Sequence, residues 1–144
     1  MTIKLNVPLV LQEQTNECWY ASMCMVAYYR APGPRLGLPQ KWTANKGIKV
    51  DDFIKLAQTE GMKSVFTPAG ILTPAHLETF LKNYGPLLCA GVWDGVRHIV
   101  VVTGVEGNNV LINDPSPARR KRTETIQWFN QKLSRIPNCI MYMN

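Results

Sequence analysis

The chain has 144 residues, is 46% hydrophobic and 18% charged, and fits one globular domain, 1–144, large enough to bury a core. No apolar run approaches the roughly 20 residues of a membrane span, and the opening "MTIKLNVPLV" lacks the long apolar stretch and cleavage site of a signal peptide. The net charge of +6 favours anionic partners.

In chain order, Leu5–Val10 reads as a short strand or extended segment, kept from a central position by Pro8, which has no N–H to give a ladder. A helix then starts at Asn16 or Glu17. Trp19, Met23, Val26 and Ala27 recur at steps of three or four residues, the period of one buried helical face. It must end near Arg30, because "APGPRLGLP" follows. Between Ala31 and Gly70 no motif is recognisable, but Val50–Glu60 has helical spacing, with Asp51 and Asp52 at its positive end and Gly61 to stop it. Thr73–Gly85 predicts a third helix, with an N-cap threonine, proline at the first helical position and a closing glycine.

Beyond Pro86 the pattern changes to strands. Leu87–Trp93, His98–Gly107 and Asn109–Pro115 are joined by turn signals at Asp94-Gly95 and Gly107-Asn108-Asn109, which predicts an antiparallel meander. Arg119-Arg120-Lys121-Arg122 reads as a solvated loop after a proline-rich turn, or as a patch for nucleic acid, an acidic inhibitor or an acidic substrate. Thr125–Lys132 reads as a short helix or turn, and Asn138–Met143 as a last strand. Helices come first and sheet second, an α+β domain. The four cysteines have no C-x-x-C spacing and there are only two histidines, which argues against a metal site. Cys24, Cys89 and Cys139 lie among apolar residues and read as small buried hydrophobes with reduced thiols.

Cys18 is different. It stands where "LQEQTNE" gives way to the apolar helix "CWYASMCMVAYY". Unpaired N–H groups at a helix N-terminus favour a thiolate, the form in which sulfur is a nucleophile. Glu17 opposes this unless it points outward, and Trp19 can wall the site. The imidazole that completes such a nucleophile is His98, which opens a strand after a hairpin turn. The rival, His76, lies in the first turn of a predicted helix and reads as a cap or a solvent-facing residue. Asp114 ends the strand next in the meander, where the start of one strand lies beside the end of its neighbour, so it reaches the rim of His98. Asn113 alternates to the other face. Asp114-Pro115 is also a common turn starter. For the oxyanion of acyl transfer, a side-chain amide and the nucleophile's own N–H suffice. Gln12 is the candidate for the amide and Gln14 the alternative.

Gln12, "CWYAS" six positions on, "RHIVVVTGV" with His98 and "VLINDP" with Asp114 resemble, in order and spacing, the papain-like cysteine protease superfamily. The opening "VPLVLQEQTNECWYAS" is similar to plant-pathogen effector proteases. The short Cys–His interval and "INDP" are similar to peptidases that cut leader peptides after double glycine. The "CGSC" of plant and lysosomal papains is absent. The resemblance implies a papain-like fold, a catalytic helix on a C-terminal antiparallel sheet. It implies hydrolysis of a protein substrate by Cys18, His98 and Asp114, with Gln12 and the Cys18 N–H holding the oxyanion and Trp19 beside the substrate. No cofactor or metal is required. It further implies a secreted effector or toxin acting in the cytoplasm of a target cell, checked by a cognate inhibitor or immunity protein, and, from the leader-peptidase branch alone, a Gly-Gly preference. The same thiol and imidazole would serve an amidase, deamidase or transglutaminase, and the fold could serve as a non-catalytic module that binds a peptide or, through Arg119–Arg122, a nucleic acid.

Overall fold

The computed structural model describes residues 2–12, 18–30, 55, 57–58, 61–68, 70–136 and 138–143. The elements are β1 (Thr2–Lys4), α1 (Cys18–Arg30), β2 (Met62–Ser64), α2 (Pro74–Tyr84), β3 (Leu87–Gly91), β4 (His98–Glu106), β5 (Asn109–Asn113), β6 (Lys121–Thr125), α3 (Ile126–Lys132) and β7 (Ile140–Met143). The seven strands form one sheet in the order β2-β7-β3-β4-β5-β6, with β1 on β4. The α+β class and the meander β3-β4-β5 are as expected from the sequence, and every pairing is antiparallel.

Three expectations change. The first strand is Thr2–Lys4, and of the two readings of Leu5–Val10, strand or extended segment, the strand is not formed: beyond Lys4 only single bonds such as Leu5 N–H to the Thr103 carbonyl, 2.9 Å, continue the contact. The sheet also recruits β1 and β2 from the N-terminal half, so helices and strands are not segregated along the chain. The basic run is only half a solvated loop: Arg119 and Arg120 stand exposed in the turn, but Lys121 and Arg122 open β6, an edge strand whose residues alternate between exposed and half-buried. The predicted helix 50–60 lies outside the described residues except for Lys55, Ala57 and Gln58, which are helical. The expected helix start at Asn16 or Glu17 also lies outside them; the described helix begins at Cys18.

Two cores flank the sheet. On one face Leu87, Cys89, Val100, Val102 and Ile140 pack with Leu77 and Leu81 of α2 and Phe129 of α3. On the other, Leu88, Val101 and Met141 pack with α1. Neighbouring strand residues thus serve opposite cores, the period-two rule. A register shift between Val102 and Gly104 inserts one residue, so Val105 returns to the face of Val102. Helix α1 is buried almost all round: Trp19 and every residue from Ala21 to Ala27 are buried.

Gly91 ends β3 directly opposite His98. A Cβ there would lie 2.6 Å from the Lys132 carbonyl oxygen and 2.6 Å from the Trp93 ring. Gly91→Ala is therefore expected to lower unfolding free energy by about 1–3 kcal/mol, the usual cost of overpacking, read as an earlier midpoint in urea.

Candidate active site

Two strand ends and one helix end meet at a corner of the sheet. His98 is the first residue of β4 and Asp114 follows the last residue of β5. The pairing Val101↔Asn113 brings them to the same rim. Asn113 faces the other side and donates from Nδ2 to the Val7 carbonyl, 3.2 Å. Cys18 is the first residue of α1. One turn later Ser22 donates to the Ile99 carbonyl at 3.0 Å. Since Ile99 follows His98, that single bond fixes the start of the helix over the start of β4. The His98 ring bonds Asp114, and Cys18 is near enough to raise the basicity of that ring. Its Nε2 lies 2.6 Å from Asp114 Oδ1, which leaves Nδ1 for the sulfur.

The surroundings favour a charged pair. Burial of the His98 ring works against its cation. The Asp114 hydrogen bond, then the hydrogen bond and charge of Cys18, then the charge of Asp114 outweigh it and raise the pKa from 6.5 to about 9. Asp114 is fully buried, which by itself disfavours its anion. The bond to His98, the Ser116 N–H at 2.9 Å and the Arg122 guanidinium hold it below the ordinary carboxylate range.

Sequence reasoning missed two contributors. Arg122 Nη1 lies 3.1 Å from Asp114 Oδ2. The same guanidinium makes two bonds to Asp94, 2.8 and 3.1 Å, and bonds Glu124 at 2.7 Å. Read as part of a basic run, Arg122 looked like surface charge. The alternation in "KRTET", which puts Arg122 and Glu124 on one face of a strand, was the available signal. Ser22 stands in the quoted "CWYAS", one helical turn from Cys18, and that spacing could have shown a shared face.

Gln12 comes to the same corner: its backbone N–H donates to the Pro115 carbonyl, 2.8 Å, next to Asp114. Gln14 lies outside the described residues. His76 caps α2, accepting from the Thr73 N–H at Nδ1 while its own N–H donates to Thr73 Oγ1. Trp19, expected beside the substrate, is 2% exposed and packs in the α1 core, edge-on to Tyr20. It is corrected to a packing residue, because the helix turns position 19 inward. All four cysteines are free. Among the described residues no three His, Cys, Asp or Glu side chains cluster as metal ligands would.

The family model of the papain-like cysteine protease AvrRpt2 matches residues 1–134. Among solved structures, the peptidase domain of Streptococcus ComA, a bifunctional ABC transporter of a quorum-sensing pathway, superposes with a TM-score of 0.67 at 17% identity, covering 95% of this chain and 97% of that one. A double glycine motif protease from an AMS/PCAT transporter, solved with its leader peptide, gives 0.59 at 20% identity, covering 97% and 91%. The ComA peptidase domain of Streptococcus mutans gives 0.57 at 18% identity, covering 93% and 96%. These neighbours share the fold.

The raised pKa of His98 links the corner to stability. Because folding raises the ring's pKa, its contribution is complete below about pH 6.5 and disappears as pH climbs through about 9. Asp114, with its pKa lowered, contributes in the opposite sense and weakens as the solution turns acidic. The stability gap between wild type and His98→Gln in urea titrations is therefore expected to narrow over the alkaline window. An unchanged gap between those limits would show that the ring is not held as a cation.

Proposed function

The chain belongs to the family of the papain-like cysteine protease AvrRpt2, and on that premise we propose that it is an endopeptidase that cuts a protein substrate through a thioester on Cys18. The carrying observation is the 2.6 Å bond between buried Asp114 and a His98 ring whose basicity the neighbouring Cys18 also raises.

In this reading the Cys18 proton already rests on His98 Nδ1 before substrate binds, and the thiolate of that pair attacks the scissile carbonyl. A C–S bond forms and the carbonyl π pair moves to oxygen. The Gln12 side-chain amide and the Cys18 N–H receive that oxyanion. Collapse breaks the C–N bond, and the leaving amine takes the proton from His98. A water molecule, deprotonated by His98, then cleaves the thioester and releases the acid. Asp114 keeps the imidazole oriented and stabilises its cation.

The substrate reading rests on the fold shared with double-glycine peptidases. A cut after Gly-Gly suits a narrow groove beside the sulfur. The loop that leads into His98 presents Val92 and Val96 to solvent, 40% and 66% exposed, apolar surface available to a passing peptide. Action as an effector in the cytoplasm of a target cell accords with four free cysteines, which fit a reducing compartment. The net charge of +6 suits an acidic inhibitor protein.

Incubation with a library of proteome-derived peptides, read by mass spectrometry, is expected to show new termini after Gly-Gly. Cys18→Ala should lower the rate by at least about a thousandfold, the scale of losing a nucleophile. A gain of about one mass unit at Gln or Asn without backbone cleavage would replace the protease reading with a deamidase, which uses the same acyl-enzyme.

A further inference from the structure

Arg122 is the least expected member of the corner. Its side chain is 12% exposed although it comes from a basic run on an edge strand. Every side of its guanidinium is occupied. Asp94, on the β3–β4 turn, grips it with both carboxylate oxygens, and Glu124, two residues along β6, bonds Nε at 3.0 Å and Nη2 at 2.7 Å. The plane lies over the Trp128 ring, 4.9 Å from its centroid. Trp128 stacks on Trp93, next to Asp94 in the chain, at 5.5 Å, and Trp93 stacks on Phe129 at 5.4 Å. The remaining bond from Nη1 goes to Asp114 Oδ2, while Asp114 Oδ1 holds His98.

The two Asp114 oxygens thus have separate tasks. One orients the imidazole and the other is fixed by a planar cation that cannot turn, since its outer bonds and the indole hold it. We infer that Arg122 is a positioning residue of the protease reaction, a fork that locks the Asp114 carboxylate so that His98 faces Cys18, and that the Asp94 turn is the latch that holds the fork. This rests on the reading of Cys18 as the nucleophile. Arg122 acts through Asp114 and touches neither sulfur nor imidazole. Asp114 is faced by His98 from β4, by the Ser116 N–H from its own turn and by Arg122 from β6, with Cys18 of α1 beyond the imidazole.

The experiment needs no substrate. Alkylation of Cys18 by iodoacetamide, followed by peptide mass spectrometry, is compared at about pH 6.5 and about pH 9, since only a paired thiol reacts well below the ordinary thiol range of about 8.5. In wild type Cys18 is expected to react much faster than Cys24, Cys89 or Cys139 at the lower pH. If it does not, the nucleophile reading fails and the positioning role falls with it. Arg122→Gln is expected to reduce the ratio of the low-pH to the high-pH rate at least about tenfold. Asp94→Asn, which keeps every direct partner of Asp114, weakens the grip on Arg122 and changes a partly exposed side chain, should reduce it about threefold to tenfold. Circular dichroism establishes which variants fold, and Asp94→Asn decides the matter if Arg122→Gln does not. A reactive wild-type Cys18 whose rate ratio is unchanged in the folded variants would overturn the positioning role while leaving the protease reading intact.

Discussion

A carboxylate with no solvent exposure is the constraint on which this molecule's chemistry depends. Asp114 must be an anion to hold His98 as a cation, and an isolated buried anion would protonate instead. The fold supplies three compensations from three directions: His98 across the meander, Ser116 N–H from the following turn, and Arg122 from the edge strand. Magnitudes separate this from ordinary ion pairing. Lys4–Glu106 is 57% and 51% exposed and of a kind worth about 0–1 kcal/mol. Removing one partner from a buried charged pair costs about 3–5 kcal/mol. The geometry around Asp114 is therefore strongly determined by stability, and the orientation of His98 follows from it.

Strand β4 is the frame on which the other parts are hung. It pairs with β1, β3 and β5, and its Val101 packs into the α1 core while Val100 and Val102 fill the opposite one. The N-terminal segment is tied to the same region at intervals, by Leu5 to Thr103, Asn113 to Val7 and Gln12 to Pro115. Those bonds lead the chain toward the rim where Asp114 lies. Ser22 on Ile99 then sets the helix. A thiol, an imidazole and a carboxylate distant in sequence meet because each is within one residue of an element end that β4 organises.

How much of this could be read from residues follows from where the signal lies. His98 and Asp114 were legible because a meander has a fixed register and the turns at Asp94-Gly95 and Gly107-Asn108 announce it. The caps of α2 were legible because they are local chemistry. Strand β6 was not, because "KRTET" has no apolar face and an edge strand needs none. Trp19 was read as a wall because it adjoins Cys18, but adjacency on a helix turns a side chain by about 100°, here into the core. Arg122 was hidden for a different reason. The "KRTET" alternation offers only Glu124 as a partner; Asp94 and Asp114 lie on a turn and beyond a neighbouring strand, where no local pattern points to them.

The local charge explains why the corner favours a cation in a chain that is basic overall. Asp94, Asp114 and Glu124 bring three negative charges, and Arg122 and Arg119, the latter 3.7 Å from Asp94, bring two positive ones, so the cluster carries one net negative charge before His98 is counted. A protonated imidazole reduces that imbalance, and its pKa is raised to about 9 despite burial by the hydrogen bonds and charges of Asp114 and Cys18. Arg122 has two effects of opposite sign on that cation: its charge repels the imidazolium, and its bond keeps Asp114 ionised and aimed at Nε2. Asp94 and Glu124 bond the same guanidinium and so shield the first effect. What reaches His98 is mainly the second, the hold on Asp114, so the fork's outer partners are as much part of the site's design as the carboxylate it grips.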